Sequence, residues 1–375
     1  MNVDLTLRQL ADSGNLRHIP AAASPSAVDL SSNDYLGLAE RDDLRDEFFS
    51  SHAPADLLMS SSASRLLGAH QREFETFENL LRDSYRRDAL TFNSGYHANV
   101  GLIQAIADNH TLIIADRLVH ASIIDGIRLS GAPFVRFRHN DYDHLYSIID
   151  SKARDYSNVL IVAESVYSMD GDSADIDRLA EAKRRCGGKA LLYVDEAHAV
   201  GAVGPGGLGL VEASSAPSQV DIVVGTMGKA LASVGAYAIM NSNMREFMVN
   251  KARSLIFSTA IPPVNMAWSA FIFSRMLKME TERARLSSLS ERLAVALGSD
   301  TPSHIRPLIV GDPHKAVAMS EQLLNLGFKA LPIRTPTVPP GTERLRFSLS
   351  AAISPESVDA LGVALRRIES LNHQS

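Results

Sequence analysis

A lysine set among small residues, Gly225-Thr226-Met227-Gly228-Lys229-Ala230, follows the run Tyr193-Val194-Asp195-Glu196-Ala197-His198. An amine and a carboxylate at the end of a buried strand are the pair that pyridoxal 5'-phosphate (PLP) chemistry needs. The lysine forms a Schiff base with the cofactor aldehyde, and the aspartate keeps the pyridine nitrogen protonated so that the ring takes up electrons from a carbanion. A carboxylate closing a buried strand is costly unless it meets a charge or accepts hydrogen bonds. A protonated pyridine is one such partner for Asp195, and capping the next turn is its other use. Lysine ordinarily belongs at the surface. Around Lys229, however, Gly225, Gly228 and Gly235 let the backbone approach a ligand closely, and Thr226 offers a hydroxyl to a phosphate.

Two further segments fit the same chemistry. Ser94-Gly95-Tyr96 lies between a strand ending at Phe92 and a helix expected to start near Ala98. Backbone N–H groups at a helix N-terminus make an anion site, although the same residues also read as an ordinary cap. His120 follows the strand Leu112–Ala115, where an imidazole is either structural or stacked on a flat heteroaromatic ring. Two motifs are decoys. Asp195-Glu196-Ala197-His198 spells a helicase box, but an ATPase also needs G-x-x-x-x-G-K-[ST], and Val223 and Ala230 stand where that pattern requires glycine and a hydroxyl. Gly204-Pro205-Gly206-Gly207-Leu208-Gly209 matches G-x-G-x-x-G, but it is not placed between a strand and a helix, and Pro205 lies inside it. It reads instead as a loop shaping the mouth of a site.

The elements that must position these residues are legible as an alternation. Apolar runs at Ala89–Phe92, Leu112–Ala115, Phe134–Phe137, Val159–Ala163, Ala190–Val194, Ile222–Gly225 and Ala236–Met240 predict strands. Helix-period segments at Glu73–Asp83, Asn99–Ala107 and Ile176–Arg184 lie between them. Short apolar strands separated by helices imply an α/β fold with a mainly parallel sheet covered on both faces. Ligands bind such sheets at the carboxyl ends of the strands, where the candidate residues cluster. A short helix at Leu5–Ala11, a loop containing Pro20 and Pro25, and an irregular lead-in at Leu30–Leu38 come first. After Pro262-Pro263 a long helical stretch, Val264–Leu297, leads to a small α+β domain. Its expected strands are Ile305–Val310, Lys329–Ile333 and Leu345–Ser350, and its expected helices are Lys315–Leu326 and Pro355–Leu371. The expected division is an N-terminal segment over 1–40, a large domain over 41–265 and a small C-terminal domain over 266–375.

The length of 375 residues suits one large domain plus a smaller one. A net charge of -6 argues against nucleic acid and an anionic membrane surface as partners. Cys186 is the single cysteine, which rules out an intramolecular disulfide and a cysteine-based zinc site, and no metal is expected. No apolar run approaches a membrane span, and Met1-Asn2-Val3-Asp4 lacks the pattern of a signal peptide. A cytoplasmic protein is the expectation.

Taken in order, Ser31–Leu38, Ser64–Leu67, Asn93–Asn99, Asp116–Gly126, Phe137–Asp141, Glu164–Asp172, Asp195–His198, Gly225–Lys229, Phe257–Ala260 and Pro336–Pro339 with Arg344–Arg346 resemble the α-oxoamine synthases, PLP enzymes of fold type I. The resemblance implies a mainly parallel seven-stranded sheet flanked by helices, with a small C-terminal α+β domain. It implies decarboxylative condensation of an amino acid with an acyl thioester. The greatest likeness is to the branch that joins L-alanine to pimeloyl-CoA, or to a pimeloyl carrier protein, in biotin synthesis. Glycine C-acetyltransferase and other branches are the alternatives, as is a PLP-fold protein without catalysis. By the same resemblance Lys229 is the Schiff-base lysine and Asp195 the partner of the pyridine nitrogen. His198 and Ser168 address the phenolic oxygen, and His120 stacks on the ring. Ser94, Gly95, Tyr96 and Thr226 serve the phosphate, and Thr259 reaches the phosphate of a partner subunit, which implies a homodimer. Arg346 and Arg17 bind carboxylates of substrate or intermediate, for which a guanidinium fork is suited. The chain departs from the family pattern at Val119, where a polar residue is usual, at Ser165 and Ala63, where glycine is usual, and at Ile353, where histidine is usual.

Overall fold

A computed structural model of the chain describes residues 2–19 and 27–372. The expected loop at Pro20 and Pro25 lies outside the described residues. Two compact units are present. The larger comprises Gly37–Tyr167 and Asp172–Glu280, the smaller Met1–Leu36, Ser168–Gly171 and Thr281–Ser375.

In the larger unit seven strands form one sheet: β1 (Asp88–Phe92), β2 (Thr111–Asp116), β3 (Phe134–Phe137), β4 (Asn158–Glu164), β5 (Ala190–Asp195), β6 (Ile222–Thr226) and β7 (Ala236–Met240). Each lies within one residue of its expected bounds at either end. The order is β1-β7-β6-β5-β4-β2-β3, with β7 antiparallel to both neighbours and every other pairing parallel. Strands β6 and β7 are buried at every position, because a central strand has both faces covered. β3 is an edge strand, and its Phe134 is exposed.

Side-chain caps start the helices that follow β1 and β2. The Ser94 hydroxyl accepts from the His97 N–H ahead of helix Gly95–Ile106, and His120 Nδ1 accepts from the Ser122 N–H ahead of helix Ala121–Ser130. The first of these helices starts at Gly95, earlier than the expected Ala98, because the Ser94 cap sets the start rather than the apolar periodicity. Its buried residues Ala98, Leu102 and Ile103 join Ile113 and Ala115 of β2 and Ile123 and Ile127 of the next helix in one core. These contacts hold both helix N-termini at the carboxyl ends of the strands.

In the smaller unit β8 (Ile305–Ile309), β9 (Leu331–Ile333) and β10 (Arg344–Ser348) form an antiparallel sheet in the order β9-β10-β8. The expected strand Lys329–Ile333 is two pieces. Phe328–Lys329 pairs in parallel with Val28–Asp29, and Leu331–Ile333 pairs with β10. The expected helix Val264–Leu297 is also two, Pro263–Met276 and Glu280–Ala296. Between them the N–H groups of Lys278 and Met279 bond three residues back instead of four, which tightens the turn and ends the first helix. The units divide at 280/281, not at 265/266, which falls inside a helix. The first 36 residues group with the C-terminal part and do not stand alone. Backbone bonds from Leu30 N to Lys329 O, from Ser348 N to Leu30 O and from Ala351 N to Tyr35 O tie them there. No helix among the described residues is long and apolar enough to cross a membrane.

Candidate active site

Strands β4, β5 and β6 end side by side, and each delivers a polar residue. Glu164 ends β4, Asp195 ends β5 and Thr226 ends β6. Glu164 and Asp195 are direct partners across the β4–β5 pair. His198 and Lys229 lie three residues beyond the ends of β5 and β6, so adjacent strands launch them from adjacent loops. Lys229 Nζ is 3.0 Å from His198 Nε2. A cavity of about 200 Å³ opens here, with Lys229, His198, Asp195, Thr226, His120 and Gly95 on its wall.

Asp195 is 5% exposed. Its Oδ1 accepts from the Ala197 N–H at 2.8 Å and its Oδ2 from Asn99 Nδ2 at 2.7 Å. Asn99 also donates to the Ser122 hydroxyl at 2.9 Å and accepts from the Tyr193 hydroxyl at 2.6 Å. Three elements, helix Gly95–Ile106, helix Ala121–Ser130 and β5, thus fix one amide, and the amide fixes the carboxylate. Both of these donors to Asp195 are neutral, which leaves the buried charge suited to a cation.

His120 presents its ring to the cavity and is anchored behind. Its N–H donates to Glu164 Oε1, and its Nδ1 lies 2.7 Å from the Ser122 hydroxyl. Although its surface is accessible, the surrounding walls desolvate it and lower its pKa. Asp195 opposes that shift and Lys229 adds to it. The ring is therefore neutral at neutral pH and suited to stacking. At Gly95 an added Cβ would meet nothing within 4 Å, so the first turn of helix Gly95–Ile106 faces open space. The opening N–H groups of a helix have no intrahelical acceptor, which suits them to an anion. The Thr226 hydroxyl accepts from the Gly228 N–H at 3.3 Å and shapes the turn before Lys229. Tyr96 is half exposed, and its hydroxyl donates to Asp125 Oδ2 at 2.7 Å.

These residues fit PLP. An amine, a buried carboxylate held by neutral donors, an open-faced neutral imidazole and a bare helix N-terminus match its aldehyde, pyridine nitrogen, ring face and phosphate. Two expected residues of the larger unit are off the cavity wall: Ser94 caps the adjoining helix, and Thr259 is exposed, its carbonyl accepting from Asn93 Nδ2 at 2.6 Å. Ser168, Arg346 and Arg17 belong to the smaller unit. There Arg346, on β10, is 7% exposed and donates to the Ser168 carbonyl at 2.6 Å and to Asn33 Oδ1 at 3.0 Å. Arg17 is exposed and donates to the Thr337 hydroxyl at 2.9 Å.

Sequence reasoning missed Asn99, Ser122 and Glu164. The signal for Asn99 was a lone amide on the apolar face of an otherwise apolar helix. Burial, and then the charge of Arg17, lower the pKa of Arg334. The glycine-rich loop at 204–209 was expected at the mouth of the site, yet none of its residues lines the cavity. It packs on Glu196, whose carboxylate accepts from the N–H groups of Leu210 and Val211. At Gly209, with φ +98°, an added Cβ would lie 1.9 Å from Glu196 Oε2.

Known proteins share this architecture. The aminotransferase class I and II family profile matches residues 25–365. The 8-amino-7-oxononanoate synthase of Chlorobaculum parvum (strain DSM 263 / NCIMB 8327) is 46% identical over 353 residues, covering 92% of this chain and 90% of that protein. A serine palmitoyltransferase solved with PLP superposes with a TM-score of 0.88 at 28% identity, covering 98% of this chain and 97% of the other. The 8-amino-7-oxononanoate synthase of Francisella tularensis superposes with a TM-score of 0.76 at 25% identity, covering 93% and 100%. The chain belongs to the class I and II aminotransferase family and, within it, to the α-oxoamine synthases, PLP-dependent acyltransferases that include the 8-amino-7-oxononanoate synthases.

Proposed function

We propose that this chain condenses L-alanine with pimeloyl-CoA, or with a pimeloyl carrier protein, and releases the thiol, CO2 and 8-amino-7-oxononanoate for biotin synthesis. One observation carries the reading: the amine of Lys229, the imidazole of His198 and the buried carboxylate of Asp195 converge on one cavity. PLP, when bound, supplies a sink for the electron pair left on the substrate α-carbon. Lys229 would hold the cofactor, and its amine would take the α-proton of L-alanine and return a proton after CO2 has left. Asp195, oriented by Asn99, keeps the pyridine nitrogen protonated. His120 covers the ring face. His198 and Ser168 serve the phenolic oxygen. Ser94 holds the helix start whose Gly95 and Tyr96 N–H groups, with the Thr226 hydroxyl, take the phosphate. Arg346 binds a substrate carboxylate, and Arg17 a second one.

The reading includes a cytoplasmic homodimer. Thr259, exposed and off its own chain's cavity, supports a role at the phosphate of a partner, and a single cysteine suits a reducing compartment. A second reading, an amino acid other than alanine, is favoured by the higher TM-score to serine palmitoyltransferase. Mass spectrometry of products decides. The PLP-loaded protein receives pimeloyl-CoA with equal L-alanine, glycine and L-serine. 8-Amino-7-oxononanoate as the sole ketone is expected. A glycine- or serine-derived ketone, or no product, overturns the assignment.

A further inference from the structure

Asp116, at the end of β2, and His139, just beyond β3, have no part in the chemistry above. Both lie in the larger unit, together with Asn140, Asp172 and His120. Asp116 is fully buried, and Phe137 of the edge strand β3 stands opposite it. A buried carboxylate is costly without a cation or donors around it. Asp116 has both: His139 Nδ1 is 2.9 Å from its Oδ1, and the Asn140 N–H donates to its Oδ2 at 3.0 Å. The other ring nitrogen, His139 Nε2, is 2.7 Å from Asp172 Oδ2. A ring bonded to a carboxylate through each nitrogen donates through both, and such a ring is imidazolium. Burial works against that charge, but the two carboxylates outweigh it and hold the pKa up to about 10. Asn140 also donates its amide to Asp172 Oδ2 at 2.7 Å, so the loop after β3 grips both acids.

The remaining bond of the Asp116 carboxylate runs forward along its own chain. Its Oδ1 also accepts from the Leu118 N–H at 2.8 Å, and the Val119 N–H donates to the Asp116 carbonyl at 3.4 Å. An aspartate that accepts from the N–H two residues on closes a tight turn with its side chain. The residue that leaves this turn is His120. Val119 is buried in the core of the larger unit, and the His120 N–H donates to Glu164 Oε1. The backbone from the end of β2 to the His120 ring is thus tied at Leu118 by Asp116 and at His120 by Glu164. Rotation of the Asp116 carboxylate would undo the first tie. His139 and Asn140 oppose that rotation from the neighbouring loop, at the strand ends where the cavity opens.

We infer that His139, locked between Asp116 and Asp172, is a positioning residue that fixes the 116–119 turn and so holds the His120 ring on the cavity wall. His139 touches no reacting atom and acts through the Asp116 carboxylate and the turn that it closes. The inference rests on His120 covering the face of the cofactor ring.

The test uses the full-length protein with His139→Gln, His120→Ala and the two combined. Where His139→Gln fails to fold, Asp172→Asn takes its place, since its amide keeps an oxygen for His139 and Asn140. Two quantities are read: amide hydrogen exchange at Leu118 and His120 in cofactor-free protein, with helix Gly95–Ile106 as the reference, and the Kd for PLP from fluorescence titration. His139→Gln is expected to speed exchange at Leu118 by on the order of tenfold, the worth of a hydrogen bond to a charged group, and to leave the reference helix unchanged. It should weaken PLP binding by no more than His120→Ala does. The combined variant should bind PLP as His120→Ala alone does, because residues that act through one group do not add. Wild-type exchange at Leu118 overturns the inference. Losses of PLP affinity that add in the combined variant overturn it as well, since they mark a general loosening of the unit. Wild-type PLP affinity in His139→Gln, beside a loss in His120→Ala, overturns it and leaves the role of His120 standing. Wild-type affinity in His120→Ala overturns that role and the inference with it.

Discussion

Replacing Glu196 by glutamine is expected to make the protein relatively more stable at pH 8 than at pH 5. Glu196 is fully buried beside Asp195, and burial pushes its pKa from 4.5 up to about 7, although the N–H groups of Leu210 and Val211 pull it down. Between pH 4.5 and 7 the unfolded chain gives up the proton and the folded chain keeps it, so wild-type stability falls as pH rises. Raising the pKa from 4.5 to about 7 is worth about 3 kcal/mol in total, since a tenfold change in proton affinity is about 1.36 kcal/mol. Glutamine keeps an oxygen for only one of the two N–H groups, a loss that is the same at both pH values, and has no proton to release. The stability of Glu196→Gln minus that of wild type should therefore rise by about 2.5 kcal/mol from pH 5 to pH 8, since part of the effect is already present at pH 5. Urea unfolding of the two proteins at one fixed concentration measures it, since contributions common to both cancel in the difference. An equal difference at the two pH values refutes the reasoning.

Lys229→Ala is expected to abolish both turnover and the visible absorbance of lysine-bound cofactor, and full turnover in this variant excludes Lys229 as the base. Asn99→Ala removes a donor to the Asp195 carboxylate and strands the buried Tyr193 hydroxyl. Thermal denaturation should show a loss of about 2 to 4 kcal/mol, because each unpaired buried group costs about 1 to 3 kcal/mol. Gly209→Ala combines a positive φ with a clash against Glu196. It should destabilise by more than about 1 kcal/mol, read as a lower urea midpoint.

The chain's order of elements was legible in the sequence because strand and helix are local properties. Continuous apolar runs mark strands buried on both faces, and the seven runs proposed are the seven strands observed. The same logic placed Asp195, His198, Thr226 and Lys229 at carboxyl ends, since a strand's end is visible in its own residues. Recognition of the α-oxoamine synthase motifs then supplied the cofactor and a role for each of these groups. What lay beyond local pattern was which loops meet. Asn99 holds Asp195 across 96 positions of chain, and His139 meets Asp172 across 33. Each contact exists only because the strand order β1-β7-β6-β5-β4-β2-β3 brings distant ends together. The antiparallel sense of β7, the short turn that splits Pro263–Met276 from Glu280–Ala296, and the grouping of the first 36 residues with the last 95 likewise depend on packing between remote segments. The raised pKa of Glu196 is of the same kind, because desolvation measures everything that surrounds a group and not its neighbours in the chain.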